Sequence, residues 1–401
     1  MAEMTSGSIG TLEALPSSAR QERYLILDAL RFVLALWVAI GHLGVFPIFG
    51  ADPGSGVLHI ASRAANTLVW GMPAVMAFFV VSGFCIHYPS QAVDGFSIPR
   101  FYLRRYTRTV LPVVVIIATM IAYRGAAQIH WLGKGSIFFQ STLWSLLCEE
   151  LYYAVYPVLR WLRRHVGWMP ILTATVGISV VWASFSTPAV SWEEVGPLGT
   201  AVILYPIWLL GCVLAERRGD RRVVVRNHRD LAPRGSDGIA AAGRDKASKG
   251  MPAAASAAAN QARVSIWVWR GGAWLTMWGS EMLHFHTPLT QIHTMLFVGV
   301  FAFYWIRAEL AVSRTLAPSR WLVYAGAWSY SLYLVHPVVY DVLQLWLPSL
   351  PPESRLGWVV FLGLALGLAY LFYKLVEQPT HRGAQKIGLV KARRSTRKLV
   401  V

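Results

Sequence analysis

Apolar runs recur along the chain, each about as long as one membrane crossing. A hydrocarbon core about 30 Å thick takes roughly 20 apolar residues in a helix. Ten stretches fit this template or approach it: 24–46, 67–87, 106–123, 143–162, 169–185, 200–215, 264–278, 293–306, 325–347 and 356–373. The fourth and seventh are the weakest. No strict alternation of apolar and polar residues runs through them, which argues against a membrane barrel. The pattern predicts an all-α polytopic membrane protein, with about ten transmembrane helices around a polar cavity.

The polar residues between the runs test that count, because Lys and Arg concentrate on the cytoplasmic side. The even-numbered connections are basic: Arg100, Arg104, Arg105 and Arg108; then Arg160, Arg163 and Arg164; then 217–249; then Arg307, Arg314 and Arg320. The tail continues this with Arg382, Lys386 and a run ending at Lys398. The odd connections hold little: Arg63, Lys134, Glu193 with Glu194, Glu281 and Arg355. This alternation predicts both termini in the cytoplasm and a multi-pass protein of the inner, or plasma, membrane. The first twenty residues lack the pattern of a cleavable signal peptide, so the first helix is expected to target the chain and stay. The expected organisation is a polar tail over 1–23, a membrane domain over 24–376 and a basic tail over 377–401. Within the domain, 218–262 is expected as a basic, disordered cytoplasmic loop. Its Ala, Gly, Ser and Pro content leaves little apolar surface to bury.

Composition agrees with the pattern. Of 401 residues, 55% are hydrophobic and 14% charged, against about 25% charged in soluble domains. Mean hydropathy is +0.45. The net charge of +17 sits mostly in short runs beside apolar stretches, so it reads as topology rather than as nucleic-acid binding. Cys85, Cys148 and Cys212 lie in or at the ends of apolar runs and read as small core residues.

The ionisable residues inside the runs need a reason. Each costs about 2.5–3.5 kcal/mol at a helix centre. Arg31 and His42 are almost three turns apart on one helix face, about 16 Å along the axis. Asp28 stands one turn before Arg31 and can pair with it. In "WSLLCEELYYAVYP", Ser145, Glu149 and Tyr152 or Tyr153 can share one face, while Glu150 points about 100° away. At least one of the two carboxylates must meet a polar cavity or a base such as Arg31, Arg104, Arg105 or Arg108. Ser82 and Gly83, mid-run, suggest close helix packing. The Arg cluster that follows suits anchoring, and also suits phosphates. His336 lies in an apolar run beside Ser329, Tyr330 and Ser331. Either a packed structural histidine or a functional one fits there. His284, His286 and His293 invite a metal reading, yet they lack a partner set beyond Glu281, so no metal is expected.

In this order, the pieces resemble the acyltransferase-3 family of integral membrane O-acyltransferases, which modify bacterial surface and exported glycans, antibiotics and similar acceptors. Arg31 and His42 match its Arg-ten-residues-His element. The run ending at Ser82, Gly83 and Phe84 matches its Phe-Phe-x-x-Ser-Gly-Phe element. Arg104, Arg105, Arg108 and Pro112 match its Arg-Arg-x-x-Arg-x-x-Pro element, with one extra residue before the proline. Trp144, Ser145, Leu146, Glu149 and Glu150 match Trp-Ser-Leu-x-x-Glu-Glu. The run from Tyr330 to His336 matches Tyr-Ser-Leu-Tyr-Leu-x-His, and Glu377 and Pro379 close the series. The resemblance spans nearly the whole chain. It departs in the long basic loop and in having no soluble hydrolase-like domain at the C-terminus.

The resemblance implies an acyl-CoA donor, with acetyl-CoA expected, used as a substrate with no tightly bound cofactor. The implied acceptor is a hydroxyl of a saccharide or glycolipid. Arg31 and His42 are implied as essential. Histidine suits a general base, since its ordinary pKa is near 6.5; a transient acyl carrier is the alternative. Glu149 is expected to position His42 or a basic partner. Arg104, Arg105 and Arg108, with Ser82, are expected to hold the donor. Asp28, Trp144, Ser145, Glu150, Tyr330 and His336 are expected to support the site. The rival class is a transporter or flippase of lipid-linked saccharides. It would show paired halves, and none is evident.

Overall fold

The computed structural model describes residues 24–47, 57–91, 96–125, 129, 142–186, 192–230, 253–313, 315–352 and 354–385. The predicted polar tail at 1–23, part of the expected loop at 231–252 and the end of the basic tail at 386–401 lie outside these residues. The described chain is helical throughout, without a strand among the described residues. Its helices are α1 (Leu25–Leu43), α2 (Val57–Asn66), α3 (Gly71–Gln91), α4 (Ile98–Arg124), α5 (Leu143–Val166), α6 (Trp168–Ser186), α7 (Trp192–Asp230), α8 (Ala253–His286), α9 (Gln291–Val312), α10 (Arg320–Gly326), α11 (Ser329–Trp346) and α12 (Arg355–Phe372). A π-turn, Tyr373–Glu377, follows α12. Helix covers each of the ten predicted stretches wholly or mostly.

Among the described residues, seven helical stretches are long and apolar enough to cross a membrane: Leu25–Leu43, Ile60–Gln91, Ile98–Arg124, Trp168–Ser186, Val195–Arg217, Gln291–Val312 and Arg355–Gln385. The other three predicted spans, in α5, α8 and α11, are helices whose composition alone does not carry them across. Several outer helices have little protein around them. Only 11% of the apolar window of α6 is buried, and Ile178, Val181 and Phe185 stand exposed. In water such a face would be an aggregation liability; lipid tails suit it.

Two hydrophobic clusters fill the interior, and α1 belongs to both. Leu27, Leu30, Leu34 and Val38 pack with α3, α5, α7 and α9. Phe32, Ala35 and Leu43 pack with α4, α11 and α12. Helix α1 therefore lies along the seam, and polar groups on it meet partners from both sides.

The sharpest approach is between α3 and α7. A Cβ at Gly83 would strike the Trp208 carbonyl oxygen and come within 3.2 Å of the Cys212 nitrogen. A Cβ at Gly211 would strike the Val80 carbonyl. The Ser82–Gly83 pair thus does pack closely, as its small residues suggest. Gly326, at the end of α10, likewise lies against the Asp28 carbonyl and pins the start of α1.

Helix α7 runs on through 218–230 and α8 begins at Ala253. The Ala-rich stretch 253–259 is the composition a helix favours most. Glu377 is buried, and helix continues beyond it to 385.

Candidate active site

The polar residues of the interior gather at two stations along α1. The first surrounds Arg31. Its guanidinium pairs with Asp28 one turn earlier at 3.5 Å, and it also interacts electrostatically with Glu149, Tyr153 and Cys85. A directional chain of hydrogen bonds runs beside it. Trp208 Nε1 donates to Ser82 Oγ at 3.2 Å. Ser82 Oγ and the Tyr153 hydroxyl are 2.9 Å apart, and Tyr153 donates to Glu149 Oε2 at 3.2 Å. A carboxylate only accepts. Tyr153 therefore gives its proton to Glu149, and Ser82 hydrogen-bonds both the tyrosine and the carboxylate. Three helices, α3, α5 and α7, are locked to one carboxylate by this chain.

The α4 arginines divide. Arg105 lies over the Tyr153 ring, 5.1 Å from its centroid. Arg108 reaches the same cluster and interacts with Arg31, Glu377 and Tyr153. Arg104 is exposed beside Arg100 and Arg105, away from the cluster. Glu150 turns toward α4, where it interacts with Arg105; its Oε2 is buried without a hydrogen-bond partner among the described residues. Tyr330 donates to the Thr109 carbonyl at 2.8 Å and ties α11 to α4.

Glu377 completes this station. Its Oε2 accepts from the Ser331 amide at 3.2 Å and the Ser331 hydroxyl at 2.6 Å. In the sequence Glu377 stands in the closing motif without an assigned role. Its signal was available: a carboxylate just beyond an apolar run. The π-turn that carries it is a geometry often found at functional positions.

The second station is at the far end of α1. His42 is exposed in the last turn, and its Nδ1 lies 2.9 Å from the Val38 carbonyl. His336 of α11 is fully buried beside it. His336 Nε2 lies 3.3 Å from His42 Nδ1, and the two ring centroids are 5.1 Å apart. His336 Nδ1 meets the Leu332 carbonyl at 3.0 Å. Between the stations, Ser145 Oγ and the Tyr333 hydroxyl are 2.6 Å apart, with the Thr142 carbonyl accepting from Ser145 at 3.1 Å. The Tyr333 ring packs against His336. Trp144 is buried in the larger cluster.

The structure thus brings His42 to His336, Ser145 to Tyr333, and Arg31 to Asp28, Glu149 and Arg108. It does not join His42 to Glu149 through any direct contact among the described residues. His293 caps α9, its Nδ1 accepting the Thr290 amide at 3.1 Å. With His286 it lines a cavity of about 650 Å³ between α8 and α9, walled mostly by Leu275, Leu283, Phe297 and other apolar groups. That cavity touches neither station.

A family model described as an acyltransferase domain matches residues 24–374. Among curated proteins, "Protein 2 in picA locus" of Rhizobium radiobacter is 33% identical over 110 residues, which is 27% of this chain and 49% of that protein. The match spans about half of that relative's length. No solved structure matches the chain.

Proposed function

The chain belongs to the acyltransferase domain family, and from that premise we propose that it is a membrane-embedded O-acyltransferase with His42 as its general base. It moves an acyl group, acetyl in the simplest case, from acyl-CoA to a hydroxyl of a saccharide or glycolipid. The observation that carries this reading is one exposed imidazole, braced by a buried one, at the opposite end of α1 from a cluster of arginines.

The chemistry follows from that layout. The acceptor hydroxyl gives its proton to His42 as its oxygen attacks the thioester carbonyl carbon. The C–S bond then breaks. The departing sulfur takes the proton back from the imidazolium, which leaves an ester and a free thiol. A well-placed base is worth about 10²–10⁴-fold in such a step. Arg108 and Arg105 hold donor phosphates, since guanidinium binds them with two parallel hydrogen bonds. Arg104, exposed beside them, meets the nucleotide end. The unpartnered Oε2 of Glu150 offers an acceptor for a donor amide or hydroxyl. Arg31, held by Asp28 and close to Glu149, orients the donor chain between the stations.

On this reading the three helices short of apolar composition, α5, α8 and α11, also cross the inner membrane, which makes ten crossings with both termini in the cytoplasm. The arginine station then faces the cytoplasm, where coenzyme A resides, and His42 faces outward. The test compares acyl-ester content of envelope glycans, by mass spectrometry, in cells carrying wild-type, Arg31→Ala or His42→Ala protein. Ester should vanish in both variants at normal protein level. Wild-type ester with folded His42→Ala protein removes His42 from the chemistry.

A further inference from the structure

Both histidines of the second station present Nδ1 to a carbonyl four residues earlier on their own helix: His42 to Val38 at 2.9 Å and His336 to Leu332 at 3.0 Å. A carbonyl only accepts, so in each neutral ring the hydrogen sits on Nδ1 and Nε2 is left with its lone pair. The contact between the rings then has a direction. His336 Nε2 is an acceptor, and the nitrogen it faces at 3.3 Å is the Nδ1–H of His42. His42 shares one hydrogen between the Val38 carbonyl and His336. The reverse order would require a hydrogen on His336 Nε2 and leave two acceptors facing at Leu332.

We propose that His336 is a positioning residue: it accepts the Nδ1 hydrogen of His42, holding that ring in one tautomer and one orientation with Nε2 bare toward the acceptor. This rests on the reading of His42 as base. Three features of the site favour it. His336 is fully buried while His42 is exposed, so the buried ring braces the working one. Tyr333, whose hydroxyl is fixed by Ser145, packs on His336 and limits its movement. And among the described residues, Nε2 of His42 has no hydrogen-bond partner, which leaves it available to a hydroxyl. An unpaired tilt of the His42 ring would turn that lone pair away, since the backbone carbonyl of Val38 already serves the helix and restrains the ring only along one edge.

The experiment uses full-length protein in lipid vesicles containing envelope extract, with acetyl-CoA as donor and thiol release as the signal. His336→Leu keeps apolar bulk and cannot accept a hydrogen bond. It should lower turnover about 10²-fold, at the lower edge of what a general base contributes, with the KM for acetyl-CoA unchanged. His336→Gln carries an amide oxygen near the Nε2 position and should recover turnover to within about tenfold of wild type. The double variant His42→Ala with His336→Leu should be no worse than His42→Ala alone. An independent signal is the ring-nitrogen spectrum of protein labelled with ¹⁵N-histidine, the His42 resonances being those lost in His42→Ala. Wild type and His336→Gln should show His42 as the Nδ1–H tautomer, and His336→Leu should admit the Nε2–H form.

The proposal is overturned if wild-type His42 carries its hydrogen on Nε2, if His336→Leu turns over at the wild-type rate, or if the Leu and Gln variants are equally impaired. Should His336→Leu fail to fold, the wild-type tautomer still decides. An active His42→Ala instead removes the underlying reading, whatever His336 does; an inactive His42→Ala beside a fully active His336→Leu removes this inference alone.

Discussion

Replacing Gly211 with alanine should open the bundle at the point where it braces Glu149. A Cβ there would lie 2.8 Å from the Phe84 nitrogen and 2.9 Å from the Val80 carbonyl carbon, and closer still to that carbonyl's oxygen. Carbon contacts at rest are about 3.5–4.0 Å, so α3 and α7 must part by roughly 1 Å. The obstacle is backbone on both helices, which cannot swing aside as a side chain can. Overpacking of this kind costs about 1–3 kcal/mol. The same displacement stretches the Trp208–Ser82 hydrogen bond beyond its present 3.2 Å, out of bonding range, at about 1 kcal/mol more. The expected total is about 2–4 kcal/mol. Thermal denaturation of purified protein should show a lower midpoint, and thiol release from acetyl-CoA should fall, because the chain ending on Glu149 is broken. Gly363→Ala is the control: a Cβ there meets nothing within 4 Å, and alanine gains about 0.5–1 kcal/mol over glycine inside a helix. A Gly211→Ala protein that melts and turns over like wild type would refute the reasoning.

Tyr153→Phe removes the donor to Glu149 and the acceptor for Ser82; a hydrogen bond to a charged group is worth about 1.5–3 kcal/mol, so turnover should fall about 10- to 150-fold with the fold intact, as read by thiol release beside size-exclusion elution. Glu216→Ala should act on stability: Glu216 accepts from Arg163 and Trp168, and its loss takes the acceptor from Trp168 and from the part-exposed Arg163 at about 1–2 kcal/mol, visible as a lower denaturation midpoint and lower yield.

How far the sequence could be read depended on whether a partner was local. Arg31 and Asp28 are one turn apart, and their pairing follows from helix geometry. His42 could be singled out by its spacing from Arg31, but His336 is 294 positions away, and no pattern of period joins them. The Ser82–Gly83 pair announced close packing, yet Gly211, the other half of the contact, sat unremarked in another run. Arg160 and Arg163 look like topology charges, and the structure gives them further work: Arg160 donates to the Ser90 carbonyl and Arg163 binds Glu216. His293 shows the opposite lesson. Its neighbours suggested a ligand cluster, and its ring caps a helix.

Among the described residues seven helical stretches are long and apolar enough to cross a membrane, and α5, α8 and α11 fall short of that composition. Two of those, α5 and α11, carry Ser145, Glu149, Tyr153, Ser331, Tyr333 and His336, which are the groups that build both stations. A polar group facing lipid has no partner, whereas one facing the seam of two hydrophobic clusters can be satisfied by α1, α3, α4 or the π-turn. Helices that carry such groups must therefore lie inside the ring, and helices that lack them, such as α6 and α12, can form its lipid-facing wall. The composition that disqualifies a helix as an isolated span is thus the reason it borders the site. Helix α1, apolar enough to pass yet bearing Arg31 and His42, contributes to both clusters, as α5 does through Leu143 and Trp144 and α11 through Leu332 and Tyr333.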